Sequence, residues 1–143
     1  MAVSTYNPGS ISVILGAKVL SGYADDAQVV IERDTDIFSD SVGADGRVTR
    51  GKTNDRRGKI TVTLMQSSPS NDDLQALALT DELNGTGMFP VIVRDGSGRT
   101  VCTAAQAWVL KSASTSFSRT IASREWTIRC AELVMYVGGN DTA

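Results

Sequence analysis

Lys59-Ile60-Thr61-Val62-Thr63-Leu64-Met65 constrains the fold more than any other stretch of this chain. Ile60, Val62 and Leu64 point one way and Thr61 and Thr63 the other, the period of a strand buried on one face only. Such a strand needs a second apolar layer to rest on, and the rest of the chain supplies candidates. Ile11-Ser12-Val13-Ile14-Leu15 and residues 27–33 are dominated by β-branched side chains. Residues 88–94 lead into Asp95-Gly96-Ser97-Gly98, a hairpin turn by residue type, with residues 99–111 as the long returning strand. Residues 124–137 read as strand from end to end, with Trp126, Ile128 and Cys130 on one side and Glu125, Thr127 and Arg129 on the other. The apolar phase slips near Ala131-Glu132 before Leu133, Met135 and Val137, which predicts a β-bulge.

One helix interrupts the strands, over residues 70–84. Ser70 is expected to be its N-cap with Asp73 at capping-box distance, and the acids of the first turn suit the helix dipole. Leu74, Leu77 and Ala78 form a core-facing stripe with Leu79 and Leu83 beside it, and Asn84-Gly85 ends the helix. The expected fold class is α+β, mainly β: a β-sandwich or small barrel with one flanking helix and a long extended loop. With 143 residues the chain makes a single domain, 1–143, able to fold without a disulfide or metal staple. Its arms would be an N-terminal segment, 1–10, turning at Asn7-Pro8-Gly9, and the loop 34–58.

The chemistry open to this chain is narrow. It has no histidine, which excludes Ser-His and Cys-His nucleophile pairs, a histidine general base and histidine metal sites. Cys102 and Cys130 are too few for a cysteine zinc centre and are expected as free, packed thiols. Gly85-Thr86-Gly87 and Gly96-Ser97-Gly98 lack the lysine and the strand-to-helix context of a phosphate loop. Asp34, Asp36 and Asp40 suggest calcium only superficially, because Phe38 and Ser39 stand where an EF-hand needs a ligand and a glycine. The acid pairs Asp25-Asp26, Asp72-Asp73 and Asp81-Glu82 are accounted for by strand geometry and helix ends. No enzyme activity, cofactor or metal is expected. The first twenty residues lack the basic start and apolar core of a signal peptide, so the chain is expected to be mature protein with no membrane anchor.

Charge is segregated in the middle third. From Asp25 to Asp45 there are seven acids and one base; from Arg47 to Lys59 there are six bases and one acid. A short extended hairpin is expected around Asp45-Gly46, and the plain account of the charges is a solvated or disordered loop whose limbs neutralise each other. The sharper account is a projecting loop whose charges meet their opposites on a neighbouring copy, through Asp34, Asp36, Asp40, Asp45, Arg47, Arg50, Lys52, Arg56 and Arg57. Contacts of that head-to-tail kind close rings or build filaments. Nucleic-acid binding is disfavoured, since the basic limb lacks interleaved aromatics and the net charge is −2. Exposed strand edges, a liability for a monomer, become seams if copies pair edge to edge.

The whole chain resembles the tail tube proteins of contractile-tailed bacteriophages. The resemblance is carried by Tyr6-Asn7-Pro8-Gly9-Ser10 with Ser12-Val13, by Val30-Ile31-Glu32-Arg33-Asp34-Thr35-Asp36-Ile37-Phe38 followed by Gly43-Ala44-Asp45-Gly46, and by Gly58-Lys59-Ile60-Thr61-Val62-Thr63-Leu64 leading to Ser67-Ser68-Pro69-Ser70-Asn71-Asp72. It implies a structural subunit of the virion tail, assembled in the host cytoplasm. Hexameric rings would join their inner sheets around a channel and stack through the 34–58 loop and the terminal arm. The implied partners are other copies, the tail sheath, the tape-measure protein, baseplate and tail-terminator proteins, with viral DNA passing through the lumen without specific binding. Thr61, Thr63, Glu125 and Thr127 are candidates for the lumen wall, where Arg129 would be out of place. Two rivals remain: a tube subunit of a pyocin or type VI secretion-like system, and a monomeric β-sandwich binding module using Tyr23, Trp108 and Trp126 as a stacking platform.

Overall fold

The strand-period segments assemble into one sheet. A computed structural model describes residues 11–23, 29–96 and 98–139; the 1–10 arm and the Asp25-Asp26 pair lie outside them. The elements in chain order are β1 (Ile11–Leu15), β2 (Lys18–Val19), β3 (Val29–Arg33), β4 (Phe38–Val42), β5 (Val48–Lys52), β6 (Gly58–Met65), α1 (Ser70–Asn84), β7 (Phe89–Asp95), β8 (Val101–Lys111), β9 (Ser123–Cys130) and β10 (Val134–Tyr136). Eight strands form one antiparallel sheet in the order β2-β1-β7-β8-β9-β6-β3, with β10 paired to β8; β4 and β5 form a separate two-stranded sheet.

The sheet curls on itself, because its alternating apolar residues all need the same interior. Ile60, Val62 and Leu64 of β6 are fully buried with Val13 of β1, Val91 of β7, Cys102 of β8 and Ile128 of β9, in one continuous core. At one end the curl is closed by hydrogen bonding: Tyr23, just past β2, bridges Leu64, and Met65 N–H donates to Gly22 O at 2.8 Å. The sequence left sandwich and barrel open; the structure is a curled sheet stapled at one end, with α1 against β8.

Residues 124–137 are not one strand with a bulge. They divide into β9 and β10, both along the same side of β8. The phase slip is real, since Cys130 and Leu133 are both buried. Yet the register to β8 is the same on either side of it: Cys130 opposes Ala107 and Val134 opposes Thr103. The reason is that β8 slips too, burying Ala104 and Ala107 and exposing Ala105 and Gln106, so the neighbours bend together.

The helix also departs from expectation at its start. Pro69 precedes it and no side chain caps it from that position. The Ser70 hydroxyl instead accepts from Ser21 N–H (2.9 Å), while Ser68 Oγ accepts from Ser70 N–H (3.2 Å) and donates to Ser21 O. Asp73, expected in a capping box, pairs with Lys18 at 2.9 Å. The two serines thus pin α1 to the chain after β2, a tertiary demand that outranks local capping. Leu74 is fully buried and Leu77 and Ala78 pack on the core, but Leu79 and Leu83 face outward. The helix ends on Gly85, at φ +69°, whose N–H reaches Asp81 O at 2.8 Å.

Candidate assembly surfaces

The 34–58 segment is an ordered projection. β4 and β5 pair Phe38 with Lys52, Asp40 with Arg50 and Val42 with Val48 across a turn at residues 43–47, and every residue of both strands is exposed. Alternation gives the hairpin two unlike faces. Phe38, Asp40, Val42, Val48, Arg50 and Lys52 share one; Ser39, Ser41, Thr49 and Gly51 share the other. Arg50 lies over the Phe38 ring, 4.3 Å from its centroid.

A lone hairpin is marginal in water, so its mounting matters. Arg129 of β9 forms an ion pair with Asp34, and Arg33 Nη2 donates to Leu133 O at 2.7 Å. Leu133 N–H donates to Arg56 O at 2.9 Å, and Arg56 pairs with Glu132 at 2.9 Å. Arg57 grips Asp55 through Nε and Nη2, both at 2.9 Å. These bonds hold the Asp55 carboxyl down at about 2 and raise the Arg57 guanidinium in turn. Gly58 permits the close approach: a Cβ there would meet Leu133 Cδ2 at 2.3 Å and Glu32 O at 3.0 Å.

The charged candidates therefore divide. Asp34, Arg56 and Arg57 are engaged within the subunit, with partners on β9, in the segment after it and in the hairpin's own root. Asp45 Oδ1 accepts from Arg47 N–H in the turn, at 3.1 Å. Asp36, Asp40, Arg47 and Lys52 have no ion pair among the described residues, which leaves them to solvent or a neighbour. Among the described residues the two limbs meet in one direct ion pair, Glu32 with Lys59 at the base of the projection, so pairing within the chain does not cancel the charges of the hairpin itself.

Thr61, Thr63, Glu125 and Thr127 come together on the face of β6 and β9 turned away from the core, Thr61 opposite Thr127 and Thr63 opposite Glu125. Lys59 and Arg129 oppose each other on the same face. Both bases are neutralised, Lys59 by Glu32 at 3.2 Å and Arg129 by Asp34. Arg129 therefore does not make this face basic, and Glu125 is left without an ion-pair partner among the described residues. Beyond β6 lies β3, an edge strand whose other side is unpaired among the described residues.

Sequence reasoning passed over residues 112–122, between β8 and β9. This serine- and threonine-rich connection exposes Phe117 (80%) and Ile121 (71%). Two large apolar residues isolated in a polar loop were the available signal. The stacking platform does not form: Trp126 is inside the core, its Nε1–H donating to Asn71 Oδ1 at 2.9 Å, whereas Trp108 opposes Arg129 on the other face of the sheet. Among the described residues no group of three or more Cys, Asp or Glu could hold a metal ion, and Asp34 is committed to Arg129.

A curled antiparallel sheet with an open edge and a rigidly rooted, wholly exposed hairpin defines a structural subunit made to be covered by copies of itself. The chain belongs to the family described as the bacteriophage PhiTE tail tube protein, whose model matches residues 6–138. It is 31% identical over 145 residues to "Structural protein ORF10" of Pseudomonas phage KPP10, covering 96% of this chain and 84% of the relative. Solved structures share the fold at low identity. A chain from the structure of the anti-feeding prophage cap matches with TM-score 0.62 at 12% identity, covering 95% of this chain and 94% of that one. A chain from the PVC sheath/tube terminator of an extracellular contractile injection system matches with TM-score 0.63 at 14% identity, covering 96% of this chain and all (100%) of that one. A chain of the PVC sheath-tube complex matches with TM-score 0.62 at 12% identity, covering 92% and 91%. The protein is thus a phage tail tube subunit, as the resemblance implied.

Proposed function

We propose that the whole chain, 1–143, acts as one domain, forming hexameric rings that stack into the hollow tube of a contractile tail. Rings close by edge pairing through β3, and the face carrying Thr61, Thr63, Glu125 and Thr127 lines the lumen. Its hydroxyls and Glu125 make a wall to which the tape-measure protein and then the genome do not adhere, since like charge repels phosphates. The sheath packs outside, and baseplate and terminator proteins close the two ends. Folds shared with chains of a sheath–tube complex and a terminator support these partners. The subunit carries no catalytic role, assembles in the host cytoplasm and ends in the virion tail.

The observation that carries the reading is the hairpin, exposed along its whole length yet mounted by ion pairs and backbone hydrogen bonds. A subunit working alone gains nothing from holding Phe38, Val42 and Val48 out in water; a subunit inserting them into the next ring gains a docking element. Thr53 N–H donates to Ile37 O at 2.9 Å and Thr53 Oγ1 accepts from Asp55 N–H at 3.1 Å, so residues 38–52 can be replaced by a short glycine-serine turn that keeps both bonds of the root. Electron microscopy of that variant is expected to show rings without tubes. Long tubes from it would refute a stacking role for the hairpin.

A further inference from the structure

The hairpin must be received somewhere, and the shape of the subunit indicates where. β6 and β9 run side by side as eight-residue strands, about 25 Å long. At one end, where Gly58 meets Cys130, the chain leaves for the hairpin; at the other, where Met65 meets Ser123, lies the 112–122 loop. Hairpin and loop are therefore opposite poles of one subunit, and head-to-tail stacking brings the hairpin of one copy to the loop of the next.

Both poles expose apolar residues, and individual charges at one can find opposites at the other. The loop holds out Phe117 and Ile121, against Phe38, Val42 and Val48 on the hairpin. Between Lys111 and Arg124 the chain has three bases, Lys111, Arg119 and Arg124, and no acid. None of the three has an ion-pair partner among the described residues. The hairpin segment offers Asp36 and Asp40, equally unpaired, beside its own bases Arg47, Arg50 and Lys52. The loop is fastened where it meets the body, with Gln66 N–H donating to Ala122 O (3.1 Å) and Ala122 N–H to Gln66 Oε1 (3.2 Å).

We propose that the 112–122 loop is the receiving surface for the β4–β5 hairpin of a second copy in the adjacent ring. Phe117 and Ile121 seat against the apolar residues of the hairpin's mixed face, and Arg119 meets Asp40. The proposal rests on the stacking reading above, and its test separates the two. In the full-length chain, Phe117→Ser with Ile121→Ser is expected to leave rings and melting temperature intact while abolishing tubes. Arg119→Asp and Asp40→Arg, each alone, are expected to lose tubes at low salt, and their combination in one chain to restore them. The 38–52 replacement is the control. If it abolishes tubes while the loop variants stack normally, or if the charge swap restores nothing, another surface receives the hairpin. If it still forms tubes, the stacking reading falls and this inference with it.

Discussion

At Asn71 one buried amide does the work of several contacts. Its Nδ2 donates to Met65 O and Ser68 O, both at 3.0 Å, while Oδ1 accepts the Trp126 indole N–H. The helix start, the end of β6 and the middle of β9 are joined at this side chain. Removing one partner strands the others, so Trp126→Phe and Asn71→Ala should each cost about 1–3 kcal/mol in urea unfolding. The double variant should cost clearly less than the sum, and strict additivity would mean the bond contributes nothing. The strand period placed Trp126 in the core but could not name Asn71, which looks like any polar residue of a helix's first turn. Nearby, burial pushes the Cys130 thiol up to about 11, which accords with a packed thiol and with no reactive role.

Among the elements, the hairpin shows how much local sequence can carry. Charge segregation and Asp45-Gly46 pointed to a projecting hairpin, and β4 and β5 are there. Its root was illegible, because Arg129 lies 95 residues from Asp34 and Leu133 lies 100 residues from Arg33 along the chain. The root also has a pH signature. The Asp55 carboxyl is depressed from its ordinary 3.8 to about 2, chiefly by hydrogen bonding to Arg57. A depressed carboxylate contributes stability above its unfolded value and loses it as pH falls through the folded one, here between about 4 and 2. The pair is exposed, so the effect is small and salt-sensitive. NMR titration of Asp55 should give a midpoint near 2 that rises in Arg57→Gln but stays below the ordinary 3.8, because the backbone N–H of residue 57 still donates to the carboxylate; an ordinary midpoint in the unaltered chain would show that the pair does not form.

For the whole molecule, one curled sheet presents an interior face that makes the core and an exterior face turned away from it. Over β6 and β9 the exterior bases are neutralised by Glu32 and Asp34, which leaves a wall of hydroxyls and Glu125. Glu125→Lys tubes should assemble normally, yet retain duplex DNA at low salt and release it as salt rises. Retention equal to that of unaltered tubes would place this face outside the lumen.

The amino-acid sequence alone determined the strand periods, the helix end at Asn84-Gly85, the absence of histidine chemistry and the charge-divided projection, because each depends on neighbours a few residues apart. It also carried the family resemblance, through the order and spacing of its motifs. Tertiary structure decided the curl of the sheet, the shared bend of β8 with its partner, the diversion of Ser70 from capping to Ser21 and the commitment of Asp34 and Arg56 to the hairpin's root. These are contacts between residues far apart in the chain, where packing and burial outweigh local preference and no short-range pattern records which partner wins.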